Sequence, residues 1–201
     1  MRHLPLLALA LAFAFALALA LAVAPDRDAA AVQKGWYEKA VKGVAATFDP
    51  AEAKPGQTVT FTLAVALNDG YHTYPTVQPD KAAANFVNGI TFPEAGAVIF
   101  VGPIADPAKF EEKAEPLLQI QAMRVVPGTA AYTRKAVVSP KAAPGAAAVK
   151  LAAFKLQVCD KDNCFPPKVV PVEAALKVLD GPPVEVEKVY ADEVAKALAG
   201  K

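Results

Sequence analysis

Cysteine is scarce in this sequence, and other common signals of function are rare or missing. The chain has two cysteines, two histidines, two methionines and one tryptophan. Because the histidines and methionines are not clustered, the sequence carries only a weak signal for a metal site. The formal net charge is +1 with 20% charged residues, so no basic field is available for nucleic acid or an anionic membrane surface. These absences leave the cysteine pair as the main guide to function.

The amino terminus has the pattern of a secretory signal peptide. A short basic start precedes an uncharged Leu/Ala/Phe run over residues 4–24. We expect cleavage after Ala22, which makes residues 1–22 the signal and residues 23–42 an N-terminal extension. An uncleaved anchor is the alternative, since about 20 apolar residues span a bilayer. Export predicts a periplasmic mature chain, and an even cysteine count in an oxidising compartment usually indicates a disulfide.

The body of the chain alternates between apolar and polar residues, which is typical of half-buried strands. Residues 58–67 show the cleanest alternation, and residues 54–57 (KPGQ) supply the turn before them. Turn signals such as Asn88-Gly89 separate further short strands. These are predicted at residues 73–75, 97–101, 118–125, 131–138, 149–159 and 168–178. About seven to nine short strands at this spacing predict an all-β fold, an antiparallel β-sandwich over residues 43–180.

Helical patterns flank the predicted sandwich. After the turn at residues 180–183 (DGPP), apolar residues recur at helical spacing with acids early and lysine late. We predict a short C-terminal amphipathic helix within residues 181–201 that caps the sandwich; a partner-binding helix is the alternative. A short helix is also predicted within residues 28–42, as a segment packed across one end of the domain.

The two cysteines, Cys159 and Cys164, are separated only by the polar, turn-compatible residues 160–163. A tight turn closed by a disulfide is feasible, but so short a loop stabilises a fold by only about 2 kcal/mol. Alternation places Cys159 on the polar face of the preceding strand. The two prolines that follow Phe165 cannot donate to a sheet ladder, so Cys164 is expected on an irregular, accessible rim.

Two segments resemble a known family. The run from Cys159 to Pro167 (CDKDNCFPP) resembles the cysteine pair and aromatic-Pro-Pro sequence in the N-terminal periplasmic domain of the thiol:disulfide interchange protein DsbD. Residues 69–74 (DGYHTY) resemble that domain's Asp-Gly-Tyr-x-x-Tyr segment, which lies beside the cysteines in the family. The resemblance spans residues 44–178 and implies an immunoglobulin-like sandwich. The sequence lacks the membrane and thioredoxin-like domains that usually follow in DsbD, so we expect a free-standing domain.

The resemblance also implies roles for individual residues. Cys164 would exchange with a partner sulfur, and Cys159 would resolve the mixed disulfide. The surround of the two sulfurs would comprise Tyr71, His72, Tyr74, Phe165, Pro166, Pro167 and, as the lid of a cap loop, Phe110. Histidine suits proton movement near neutral pH. The alternatives are a surface strand residue for His72 and a packing role for Tyr74.

We therefore predict a thiol-disulfide exchange module, an electron-transfer domain that needs no cofactor and no metal. The expected partners are a membrane-embedded thiol reductase and an exported thioredoxin-fold protein or disulfide isomerase. The domain is expected to be a monomer that binds no nucleic acid and is not inserted in the membrane after signal cleavage. Cytochrome c biogenesis and disulfide correction are both pathways that such a domain could serve.

Two other functions stay open at this point. One is a structural or interaction sandwich in which the disulfide merely pins a turn. The other is a Cu(I) chaperone in which His72 or Met123 joins the two thiolates as a soft ligand.

Overall fold

The computed structural model describes residues 35–200, so the predicted signal peptide and its cleavage site lie outside the described residues. This range contains two α-helices, α1 (Trp36–Ala40) and α2 (Ala191–Ala199), and 3₁₀ turns at Lys81–Ala83, Pro116–Leu118 and Lys188–Tyr190. Its strands are β1 (Val41–Asp49), β2 (Glu52–Ala53), β3 (Thr58–Leu67), β4 (His72–Thr73), β5 (Gly89–Thr91), β6 (Val98–Ala105), β7 (Glu111–Glu115), β8 (Ile120–Pro127), β9 (Thr129–Val138), β10 (Gly145–Lys150), β11 (Ala153–Leu156), β12 (Lys168–Val169) and β13 (Glu173–Val178). Within residues 35–200, no helix is long and apolar enough to cross a membrane.

The largest sheet has four antiparallel strands in the order β1-β3-β9-β6. Its strand β3 has the bounds predicted from alternation, because every second side chain is apolar and a turn precedes it. The inward side chains of β3 are all buried: Val59, Phe61, Leu63, Val65 and Leu67. These residues form one side of the main hydrophobic core.

Two three-stranded sheets, β10-β13-β2 and β12-β11-β5, supply the other side of that core. Phe154 of β11 and Leu176 of β13 are buried in the same cluster as Phe61 of β3. The predicted all-β sandwich is thus confirmed. Strand pairing is antiparallel apart from the short contact between β13 and β2, which is parallel.

A smaller sheet in the order β4-β8-β7 lies beside the sandwich and has its own hydrophobic cluster. Strands β7 and β8 form a hairpin joined by the Pro116–Leu118 turn. Strand β7 (EEKAE) was not predicted, because its side chains are polar or small and mostly exposed, so it shows no apolar alternation. The cluster in this sheet includes Cys159, which makes the sheet part of the candidate site.

The C-terminal helix is confirmed but is shorter than the predicted segment. It begins at Ala191, directly after the 3₁₀ turn at Lys188–Tyr190. Val194 of α2 is buried against Ile99 and Val137, which belong to a cluster separate from the main core. The helix therefore covers part of the four-stranded sheet.

Candidate functional site

Cys159 and Cys164 form a disulfide, with sulfur atoms 2.07 Å apart and Cα atoms 4.1 Å apart. The side chain of Asp160 organises the turn between them. Its Oδ1 accepts hydrogen bonds from the backbone N–H groups of Asp162 at 2.8 Å and Asn163 at 2.6 Å. The backbone N–H of Asp160 also donates to the carbonyl of Asn163 at 2.9 Å. The polar residues between the cysteines thus fold the chain back on itself.

The two cysteine residues differ sharply in exposure. Cys159 is 1% exposed and packs in the cluster with Tyr74 and Met123. Cys164 is exposed, as expected from the sequence. This difference leaves Cys164 as the sulfur that another molecule can reach.

The expectation that Cys159 lies on the polar face of a continuous strand is wrong. The predicted strand at residues 149–159 is divided: β10 ends at Lys150, and β11 ends at Leu156. Beyond β11 the chain pairs with β4 instead. The backbone N–H of Cys159 donates to the carbonyl of His72 at 3.0 Å, and the N–H of His72 donates to the carbonyl of Cys159 at 2.9 Å. Alternation therefore no longer decides which way Cys159 faces.

Tyr74 links the sulfurs to a histidine. Its hydroxyl donates a hydrogen bond to Sγ of Cys159 at 2.9 Å, and it lies 3.6 Å from Sγ of Cys164. The same oxygen is 3.3 Å from Nε2 of His72. Burial raises the pKa of Tyr74 above its ordinary value. The phenol therefore stays protonated and can act as a hydrogen-bond donor to sulfur.

His72 is half-buried at the edge of the site. Burial lowers the pKa of its imidazole below the ordinary value, and the positive charge of Lys113 lowers it further. The carboxylates of Asp160 and Glu115 oppose that effect. The imidazole is therefore mainly neutral near pH 7, and in that form Nε2 either donates to the Tyr74 hydroxyl or accepts from it.

A cavity of about 200 Å³ lies over the disulfide. Its walls are His72, Tyr74, Phe86, Lys113, Glu115, Leu118, Met123 and the loop from Cys159 to Cys164. The β7–β8 hairpin forms one wall, where Lys113 and Glu115 make an ion pair at 2.9 Å. The cavity thus combines an apolar floor with a charged, partly exposed rim.

The other side chains of the expected surround fall into two groups. Tyr71 and buried Phe165 contact each other, with ring centroids 6.3 Å apart, and Pro166 and Pro167 are exposed immediately after Phe165. Phe110 is not among the side chains that line the cavity. Its ring lies 4.4 Å from the guanidinium carbon of Arg124, at the end of the hairpin away from Leu118.

Asn88 was predicted only as part of a turn, but it has a further role beside the site. Asn88 is 2% exposed. Its Nδ2 lies within hydrogen-bond distance of Thr73 Oγ1 at 2.7 Å, the Tyr74 carbonyl at 2.9 Å and the Tyr132 hydroxyl at 2.6 Å. Its Oδ1 accepts from the backbone N–H of Gln157 at 2.8 Å. Asn88 thus fixes the backbone beside both Tyr74 and Cys159.

The residues that were considered for copper lie together at this cavity. Met123 and His72 both line it, beside the two sulfurs. Within residues 35–200, there is no group of three or more His, Cys, Asp or Glu side chains that could hold a metal ion.

No family model matches the chain, and no curated protein matches it either. Among solved structures, the chain is similar to one chain of a type I cohesin-dockerin complex from Clostridium thermocellum. The two share 14% sequence identity with a TM-score of 0.34, over 69% of this chain and 100% of that chain. A likeness this weak carries no argument about fold or function.

Proposed function

We propose that this protein is a periplasmic thiol-disulfide exchange module that acts through Cys159 and Cys164. The observation that carries the proposal is the asymmetry of the disulfide, in which Cys164 is exposed and Cys159 is 1% exposed. In exchange, an incoming thiolate attacks one sulfur and expels the other. An exposed cysteine bonded to a buried cysteine whose sulfur accepts a hydrogen bond suits that reaction.

The reaction would proceed in two displacements. A partner thiolate attacks Sγ of Cys164, so that a mixed disulfide forms, the Cys159–Cys164 bond breaks and Cys159 leaves as a thiolate. A second partner thiolate then attacks the partner's own sulfur in the mixed disulfide and expels Cys164. The domain gains two electrons and the partner gains a disulfide. The reverse sequence oxidises the domain again.

Tyr74 and His72 would assist the departure of Cys159. The Tyr74 hydroxyl lies 2.9 Å from Sγ of Cys159, so its hydrogen bond strengthens as that sulfur becomes negative. The phenol keeps its proton, because burial raises its pKa, and Nε2 of His72 helps to hold the hydroxyl in place across the 3.3 Å contact. Solvent at the cavity would then supply the proton that neutralises the Cys159 thiolate.

The surface around Cys164 would serve as the docking area. Leu118, which lines the cavity, and its neighbour Leu117 are exposed, as are Pro166 and Pro167. Exposed apolar side chains near a reactive group favour a protein partner over a small thiol. The partners that the sequence resemblance implies are a membrane-embedded thiol reductase and an exported thioredoxin-fold protein or isomerase. Cytochrome c biogenesis is one pathway that such a relay would supply.

Single-cysteine variants test the assigned roles. The probe is a thioredoxin with one active-site cysteine, activated as its mixed disulfide with 5-thio-2-nitrobenzoate. Cys159→Ala keeps the exposed sulfur and should form a disulfide-linked complex at least about ten times faster than Cys164→Ala, because a buried thiol is hard to reach. Equal rates, or faster trapping by Cys164→Ala, would contradict the roles. If neither variant forms the complex and each only loses about 2 kcal/mol of stability, the disulfide is structural.

A further inference from the structure

Between the disulfide and strand β12, the segment that follows Cys164 buries one side chain in the main core. Phe165 is 6% exposed, whereas residues 161–164 before it and residues 166–169 after it are all exposed. The backbone N–H of Phe165 also donates to the carbonyl of Val158 at 3.0 Å. The position of Cys164 therefore depends on how firmly Phe165 is held.

Trp36 of α1 contacts Phe165 directly. The two rings are parallel to within 6°, with centroids 5.5 Å apart. Trp36 is itself 6% exposed and is the only tryptophan in the chain. Such a stacked aromatic pair stabilises the contact beyond the effect of the area that it buries.

A second contact joins the same helix to the far side of the two prolines. Nζ of Lys168 lies 3.9 Å from the centroid of the Tyr37 ring and 3.8 Å from Oε1 of Glu38. These groups are partly exposed, so this contact is weaker than the Trp36–Phe165 stack. Helix α1 thus holds the segment after Cys164 at two points, Phe165 and Lys168.

We propose that Trp36 is a positioning residue for the redox reaction. By holding Phe165, it keeps Sγ of Cys164 close to Sγ of Cys159 when the pair is reduced. The Trp36–Phe165 stack stabilises the conformation in which the two sulfurs are close enough to bond. By thermodynamic linkage, the disulfide stabilises the stack to the same extent. Loss of the stack then lowers the effective concentration of one thiol at the other, and the disulfide becomes easier to reduce. The consequence for thiol-disulfide exchange rests on the proposed function, whereas the predicted change in how easily the disulfide is reduced does not.

The test is the equilibrium between the purified protein and glutathione buffers, with free thiols trapped by alkylation. Trp36→Ala should shift the equilibrium constant about tenfold toward the dithiol, a change of about 30 mV for this two-electron couple. Trp36→Phe keeps a flat ring against Phe165 and should stay within about twofold of the wild type. Circular dichroism checks that each variant is folded.

Controls separate positioning from general loss of stability. Val194→Ala removes buried volume from the cluster under α2 and should leave the equilibrium within about twofold of the wild type. If Trp36→Ala does not fold, Trp36→Leu replaces it, because leucine keeps apolar contact but offers no ring to stack. An unchanged equilibrium in the folded variant, or an equal shift in Val194→Ala, would overturn the role of Trp36.

The same measurements distinguish a failure of the exchange function from a failure of the positioning role of Trp36. If glutathione cannot reduce the wild-type disulfide, the exchange function fails. The variants are then compared in dithiothreitol, where a tenfold shift in Trp36→Ala would still support the positioning role and an unchanged constant would overturn it.

Discussion

The two cysteines have different surroundings, and we expect their reactivity to differ for that reason. Cys159 is buried and accepts a hydrogen bond from the Tyr74 hydroxyl, whereas Cys164 is exposed. The family resemblance predicted that His72 and Tyr74 lie beside the two cysteines. Neither the 2.9 Å hydroxyl-sulfur contact nor the burial of Cys159 could be predicted, because both depend on packing against β8, which is distant in sequence.

Tyr74→Phe should slow the opening of the disulfide by dithiothreitol about tenfold at pH 7. The phenyl ring keeps the packing, but the leaving Cys159 thiolate loses a hydrogen bond, and a hydrogen bond to a charged group is worth about 1.5–3 kcal/mol. The measurement is the second-order rate constant for reduction. Tyr190→Phe, which changes a tyrosine near Gly102 on another part of the sandwich, is the matched control. Equal rate constants for the three proteins would rule out the role of the hydroxyl.

His72 should make the folded state less stable in mild acid. Burial lowers its pKa in the folded protein, while the unfolded chain binds the proton near the ordinary pKa of about 6.5. The stability that depends on neutral His72 is therefore fully present above about pH 6.5 and is lost as the pH falls toward the folded-state pKa. Urea midpoints at pH 7.5 and 5.5 should show a larger decrease for the wild type than for His72→Gln. The same decrease in both proteins would contradict this assignment.

At the scale of whole elements, the sequence predicted best where one periodic pattern governs a segment. Strand β3 has strict alternation after a clear turn, and its predicted bounds hold. The predicted strand at residues 149–159 is divided near Leu151, because β10 pairs with β13 whereas β11 pairs with β12 and β5. The alternation of apolar and polar residues is the same whichever sheet a strand joins. The alternation therefore could not predict where the chain passes from one sheet to another.

Asn88 should contribute more to the free energy of unfolding than its position in a turn suggests. Asn88→Ala leaves the Gln157 N–H and the Tyr74 carbonyl with fewer partners in a buried site, and we expect a loss of about 3 kcal/mol. Asn68→Ala removes one hydrogen bond, to the Lys39 carbonyl at 2.7 Å, from a less buried site. It should cost about 1 kcal/mol. Urea unfolding measures both, and equal losses would show that the Asn88 network is not a main support of the site.

Two glycines with the same positive φ allow backbone strain to be separated from packing. Gly56 and Gly70 both have φ of +84°. A Cβ at Gly56 would lie 2.0 Å from the Val184 carbonyl oxygen, whereas a Cβ at Gly70 would have no atom within 4 Å. Gly70→Ala should cost about 1–2 kcal/mol from conformation alone. Gly56→Ala should cost at least about 2 kcal/mol more, since the segment at Val184 must move; similar unfolding midpoints for the two variants would contradict this.

At the scale of the whole molecule, the fold class followed from the sequence because many short alternating segments allow few architectures. The arrangement of the side chains in the site did not follow from the sequence. Trp36 was assigned only to packing at one end of the domain, and its stack on Phe165 joins the first helix to a loop far along the chain. Phe110 was expected over the sulfurs, but Leu118 of the β7–β8 hairpin lines that cavity instead. Side-chain contacts across such sequence distances depend on the packed fold.

The reduction potential of the Cys159–Cys164 pair tests the central claim most directly, because it needs no knowledge of the partner. The purified protein is equilibrated in graded thiol buffers, and its free thiols are trapped by alkylation. An exchange module should have a potential between about −120 and −270 mV, in the range of known exchange proteins. A potential below about −300 mV would mark a disulfide that resists reduction by the glutathione pool, and the pair would then only pin its turn.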